Sequence, residues 1–114
     1  MLPEITVKDL AEKLQSDEKF VLLDVREHVE LRHAKITDDR LEVLPLSRLA
    51  HEGANALPES VRNQDIPVYV MCHHGNRSMQ VTSWLVSQGY KNVFNVSGGI
   101  DEYARQVNSS VGSY

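Results

Sequence analysis

The chain has 114 residues, 41% of them apolar and 25% charged, with a net charge of −4 and a single cysteine. That length suits one compact domain whose own core suffices to fold it without a metal or a disulfide. The acidic balance argues against nucleic acid or an anionic membrane as partner, the absence of a run of about 18 apolar residues argues against a bilayer span, and one cysteine excludes an internal disulfide.

At the start, Met1-Leu2-Pro3-Glu4 shows no basic segment followed by an apolar stretch, so no signal peptide is expected. With the unpaired thiol, the expectation is a cytoplasmic, reducing compartment. From Thr6 to Gln15 the apolar residues Val7, Leu10, Ala11 and Leu14 fall on one helical face. Thr6 can cap that helix, with Asp9 three residues on. Phe20 to Val25 is a short apolar run with β-branched valines, which fits a strand buried on both faces. Glu27 to His33 reads as a short helix and Ile36 to Arg40 as loop. A short strand from Glu42 is ended by Pro45. Leu49 to Gln64 is mixed, with one helical turn after Pro58.

Val68-Tyr69-Val70-Met71 is the next buried strand, and a helix is expected from Arg77 to Gln88, with Gly89 at its C-terminal cap. Val93 to Val96 is a strand, Ser97-Gly98-Gly99 a turn, and Ile100 to Val107 a closing helix. The small, polar stretch from Asn108 to Tyr114 is expected to fray, which sets the domain at residues 1–107. Strands that alternate with helices imply an α/β fold, with a mainly parallel sheet covered by helices on both faces. Ligands of such sheets bind beyond the carboxyl ends of the strands.

Two segments bring reactive residues to strand ends: Asp24-Val25-Arg26-Glu27, and Cys72-His73-His74-Gly75-Asn76-Arg77-Ser78. In the second, a cysteine ends a buried strand and a helix starts about five residues later. Gly75 and Asn76 both tolerate positive φ, so the loop can turn tightly. Its backbone N–H groups can then converge on one point, and the helix N-terminus adds free donors and partial positive charge. A thiolate at the centre is stabilised there. His73, His74 and Arg77 supply further donors. A lone cysteine at a strand end is more often a small buried hydrophobe. Two histidines, a glycine, an asparagine and an arginine beside it favour a nucleophilic sulfur in a cradle for a small anion.

Cys-His-His-Gly-Asn-Arg-Ser resembles the active-site loop of single-domain rhodaneses, Cys-x-x-Gly-x-Arg-Ser. The resemblance runs from Ile5 to Arg105. It takes in Leu22-Leu23-Asp24-Val25-Arg26-Glu27, Val43-Leu44-Pro45-Leu46, Gly89-Tyr90-Lys91-Asn92-Val93 and Ser97-Gly98-Gly99-Ile100. Ala34-Lys35-Ile36-Thr37-Asp38-Asp39 departs from the family's usual Gly-His-Ile-Pro-Gly-Ala, and Tyr103 stands for a common tryptophan. The resemblance implies a five-stranded rhodanese domain without a cofactor. It implies that Cys72 takes sulfane sulfur from a small anionic donor such as thiosulfate or 3-mercaptopyruvate, becomes a persulfide, and passes the sulfur to cyanide, a thiol or a protein acceptor.

His73, His74, Gly75, Asn76, Arg77 and Ser78 are then the expected binding residues. Arg77 has two readings, one meeting the donor's oxygens and the other clamping the loop through an acidic residue such as Glu30. His73 and His74 either steer an anionic donor or are exposed loop residues. Asp24 and Arg26 are expected to pair and fix the strand-to-helix turn, acting on the pocket floor indirectly. Three rival functions compete with sulfur transfer. A phosphatase of the related Cys-x5-Arg type needs a wider loop than the four residues, His73 to Asn76, between Cys72 and Arg77. A carrier or partner-binding module uses the same persulfide chemistry. A metal site at Cys72, His73 and His74 is not expected, because adjacent residues on a tight loop rarely face one ion. The assembly expected is a monomer or weak dimer.

Overall fold

A computed structural model describes residues 2–114. Its strands are β1 (Glu4–Ile5), β2 (Val21–Asp24), β3 (Leu41–Val43), β4 (Val68–Met71) and β5 (Val93–Val96). Its helices are α1 (Val7–Leu14), α2 (Leu46–Glu52), α3 (Glu59–Arg62), α4 (Asn76–Ser87) and α5 (Gly99–Gln106). The strands form one sheet in the order β1-β5-β4-β2-β3, and every pairing is parallel.

Side chains alternate across this sheet, because successive residues of a strand point to opposite faces. Val21, Leu23, Val25, Val68, Val70 and Val93 pack with Leu49, Val61, Val81 and Leu85 from α2, α3 and α4. Phe20, Leu22, Tyr69, Met71 and Val96 pack on the other face with Val7, Leu10, Ile100 and Tyr103 from α1 and α5. The apolar runs of β2 and β4 are explained by burial on both sides. No helix among the described residues is long and apolar enough to cross a membrane.

The Thr6 cap is present, its hydroxyl accepting from the Asp9 N–H at 3.1 Å. Two elements were not anticipated. Strand β1 is only two residues long and exists through its pairing with β5, Glu4 opposite Asn95 and Ile5 opposite Val96. Helix α2 begins directly after Pro45 and buries Leu49, and its turn or two carry too short a period to stand out.

The stretch after Val107 is a correction. It does not fray. Asn108 caps a short 3-10 turn through the Ser110 N–H, Lys35 N–H donates to the Val111 carbonyl at 2.8 Å, and Ala34 bridges to Gly112. The segment docks through these backbone bonds, through Val111 against the core and through the Tyr114 side chain, contacts too scattered along the chain to form an apolar stripe in the sequence.

Candidate active site

Cys72 follows β4, the central strand, and sits at the carboxyl edge of the sheet with 1% of its surface exposed. The chain then turns through His73 and His74 into α4. Gly75 makes that turn possible: its φ is +105°, and a side chain there would press on the backbone of Val96 and Gly98. The turn carries the Gly75 N–H to 3.1 Å from Cys72 Sγ and the Ser78 N–H to 3.3 Å. The Ser78 hydroxyl lies 3.3 Å from the same sulfur. The first amides of α4 have no acceptor within the helix and face this end with its partial positive charge. The convergent cradle expected from composition is therefore built from Gly75, Ser78 and the start of α4.

A second glycine places the cysteine from outside the loop. Gly99 has φ +62°, and a Cβ there would collide with the carbonyls of Cys72 and His73. Without one, the start of α5 closes onto those carbonyls. Ile100 N–H donates to Cys72 O at 2.9 Å, and Asp101 N–H donates to His73 O at 3.0 Å. The Gly98-Gly99 turn thus holds the strand end that bears the thiol.

Arg77 adopts the clamping arrangement of its two readings. Its guanidinium grips Glu30 with two parallel bonds of 2.7 and 2.8 Å. That pairing holds the Glu30 carboxyl well below the usual range, at about 2, helped by the Glu27 N–H and by Tyr114. The same pair raises the Arg77 pKa. Asp24 and Arg26 pair below the site, with 1% and 0% of their surfaces exposed. Arg26 donates to both Asp24 carboxylate oxygens, at 3.0 Å from Nε and 2.7 Å from Nη2. This is the turn-fixing ion pair expected from the sequence.

Tyr114 joins these pairs and was not expected near the site. Its hydroxyl accepts from Arg26 Nη1 at 3.1 Å and donates to Glu30 Oε1 at 3.0 Å. Its ring stacks on His73, with centroids 3.7 Å apart and planes 6° from parallel. His73 is held between Tyr114 and His74, so it is not an exposed loop residue. Burial first, and the neighbouring His74 second, push its pKa below the ordinary histidine value. The shift favours the neutral imidazole over the cation that would attract an incoming anion. His74 and Asn76 are exposed. His74 Nδ1 lies 3.6 Å from Asp101, a carboxylate that also pairs with Arg105. His73, His74 and Asp101 bring potential ligand atoms within 4.8 Å of one another. The two imidazole centroids lie 3.8 Å apart with their planes tilted by 32°.

Asn95 is the other residue that sequence reasoning left out. It is 2% exposed within β5. Its Oδ1 accepts from Ser78 Oγ at 2.6 Å and its Nδ2 donates to Gly75 O at 3.3 Å. The signal was present: one polar residue in Val93-Phe94-Asn95-Val96, a strand otherwise apolar.

This arrangement has counterparts. Residues 6–106 match the family model described as Rhodanese-like domain. The chain is 35% identical over 97% of its length to the Rhodanese-like/PpiC domain-containing protein 12, chloroplastic, of Arabidopsis thaliana, and spans 37% of that protein. It is 31% identical over 92% of its length to a protein of Allochromatium vinosum named Sulfurtransferase, of which it spans 91%. The crystal structure of a rhodanese-related protein from Thermoplasma volcanium superposes with a TM-score of 0.71 and 30% identity, over 92% of this chain and 93% of that one. A central-strand cysteine held by the amides of its own loop, a Gly-Gly turn closed on that strand end, and matches of this extent place the chain in the rhodanese-like domain family.

Proposed function

We propose that this protein is a sulfurtransferase that carries sulfane sulfur on Cys72. One observation carries the reading: Cys72 Sγ accepts two loop N–H groups at the N-terminus of a 12-residue helix. A thiol kept only for packing needs no such donors, whereas anionic sulfur does.

With thiosulfate as donor, the Cys72 thiolate attacks the outer sulfur. The bond between that sulfur and the sulfonate breaks, and its electron pair leaves with sulfite. Cys72 now carries a persulfide. In the second half-reaction cyanide, a low-molecular-weight thiol or a protein thiol attacks the terminal sulfur and restores the Cys72 thiolate. Two half-reactions through one covalent intermediate give ping-pong kinetics. The loop amides hold the sulfur charge as it moves one atom outward. Arg77 is assigned to the loop through Glu30, and Asp24 with Arg26 to the floor beneath it. His74 and Asn76, being exposed, are the loop side chains nearest to an arriving donor. A protein acceptor uses the same persulfide, so a carrier role differs only in the second half-reaction. A monomer or weak dimer in a reducing compartment such as the cytoplasm, where a single loop thiol stays reduced, suits this chemistry.

The test is steady-state transfer from thiosulfate to cyanide. The unmodified protein is expected to form thiocyanate with parallel double-reciprocal lines, and Cys72→Ser to form none while keeping its fold by circular dichroism. The four-residue interval between Cys72 and Arg77 is too tight to surround a phosphoryl group, so aryl phosphates are expected to remain intact. Efficient aryl-phosphate hydrolysis, or transfer retained in Cys72→Ser, would overturn the reading.

A further inference from the structure

The Asn95 amide has an orientation that its neighbours dictate. The Gly75 carbonyl can only accept, so the amide nitrogen faces it at 3.3 Å. The amide oxygen therefore faces Ser78 Oγ, at 2.6 Å. Ser78 has one hydroxyl hydrogen, and at that distance it points to Asn95. What Ser78 presents to Cys72 Sγ, 3.3 Å away, is then a lone pair. This suits a neutral thiol, whose S–H can donate to Ser78. It does not suit a thiolate, which needs donors. All of these atoms are buried: Cys72 is 1% exposed, Ser78 0% and Asn95 2%.

We propose that Asn95 is a positioning residue that competes with the Cys72 sulfur for the single hydroxyl hydrogen of Ser78, and so sets how tightly the loop holds anionic sulfur. The inference rests on Cys72 being the sulfur carrier. When Cys72 ionises its proton leaves to solvent and Ser78 keeps its hydrogen. That hydrogen now has two acceptors, Asn95 Oδ1 and the thiolate. As long as Asn95 retains it, the sulfur is held by the Gly75 and Ser78 amides alone. Asn95 is in register with the strand that carries the cysteine, Val70 pairing with Asn95, and both side chains face α4. The three groups form a line from β5 through α4 to the thiol.

The pH profile of Cys72 alkylation reads this competition directly and requires no sulfur donor. Asn95→Leu removes the acceptor while keeping the number and branching of the side-chain heavy atoms. The freed hydroxyl turns to the thiolate, and the profile is expected to move about one pH unit lower, the scale of one hydrogen bond to a charged group. In a Ser78→Ala background there is no hydroxyl to redirect. There, adding Asn95→Leu is expected to leave the midpoint within about 0.3 unit. An equal shift in both backgrounds, or no downward shift in the first, would overturn the proposal. Should Asn95→Leu not fold, Asn95→Asp serves in its place. Its carboxylate accepts more strongly, so the midpoint rises, and rises further with Ser78 present than with Ser78→Ala. Equal rises would overturn the proposal as well. Failure of the wild-type protein to take sulfur from any donor, with this coupling intact, would instead fault the proposed function and leave the competition standing.

Discussion

Glu30 and Arg77 show how a single pair governs the loop. The guanidinium and carboxylate meet at 2.7 and 2.8 Å, with 33% and 18% of the Arg77 and Glu30 side-chain surfaces exposed. The folded protein holds Glu30 at about 2 against an ordinary 4.5. Because the folded value is the lower one, the stabilisation is complete above about pH 4.5 and is lost as pH falls toward 2. Solvent screening of the partly exposed pair leaves about 1 kcal/mol of it. Denaturant unfolding of wild type and Glu30→Gln as a function of pH measures it. The gap between them is expected to be widest at neutral pH and to close on the acid side of pH 4.5. Curves that stay parallel down to pH 2 would show that the pair contributes nothing. The sequence already contained this pair as one of two readings for Arg77, because a fixed charge in a loop needs a partner. It did not contain Asn95, whose partners lie on other elements, or the stacking of His73 beneath Tyr114. Local sequence gives residue types, and both of these contacts span long separations along the chain.

At the scale of elements, the turn before α5 and the segment after it act on the same few atoms. Gly99 lets the α5 N-terminus reach the carbonyls of Cys72 and His73. In Gly99→Ala the new Cβ would meet those carbonyls and also sit at positive φ, which by itself costs about 1–2 kcal/mol. A loss of stability above that figure, together with a fall in kcat as the Cys72 strand end shifts, is expected from thermal unfolding and steady-state assay. Unchanged kcat would show that the turn does not position the thiol. On the other side, Tyr114 brings its hydroxyl to Arg26 and Glu30. Tyr114→Phe keeps the ring on His73 but leaves Arg26 Nη1 short of a partner, and a loss of about 1 kcal/mol is expected in chemical denaturation. A neutral result would mean that water replaces the hydroxyl. The turn was readable from Ser97-Gly98-Gly99, since paired glycines have few other uses. The docking of the tail was not, because Asn108-Ser109-Ser110 reads as solvated chain and its anchors, backbone bonds to Ala34 and Lys35 and the Tyr114 hydroxyl on Arg26 and Glu30, are distant in sequence.

Across the whole molecule, the architecture was the most legible level. Apolar runs at β2, β4 and β5, separated by helical segments, are compatible with little besides a parallel sheet between helices, and the all-parallel sheet realises it. Strand β1 escaped notice because two residues carry no period, and α2 because it runs from the proline that ends a strand into a stretch, Leu49 to Gln64, of mixed pattern. These gaps leave the site untouched. The sheet order sets β4 at its centre, and the cysteine loop leaves directly from the end of that strand. The fold therefore presents one thiol, buried at the strand end and met by the amides of the next helix, at the edge where ligands of parallel sheets bind. The most direct test of that thiol as a sulfur carrier is intact-protein mass analysis after incubation with thiosulfate, or with 3-mercaptopyruvate, and removal of excess donor. The expected result is a gain of one sulfur atom, mapped to Cys72, lost again on adding cyanide and absent in Cys72→Ser. An unchanged mass with both donors, from folded protein whose Cys72 still reacts with an alkylating agent, would contradict the account.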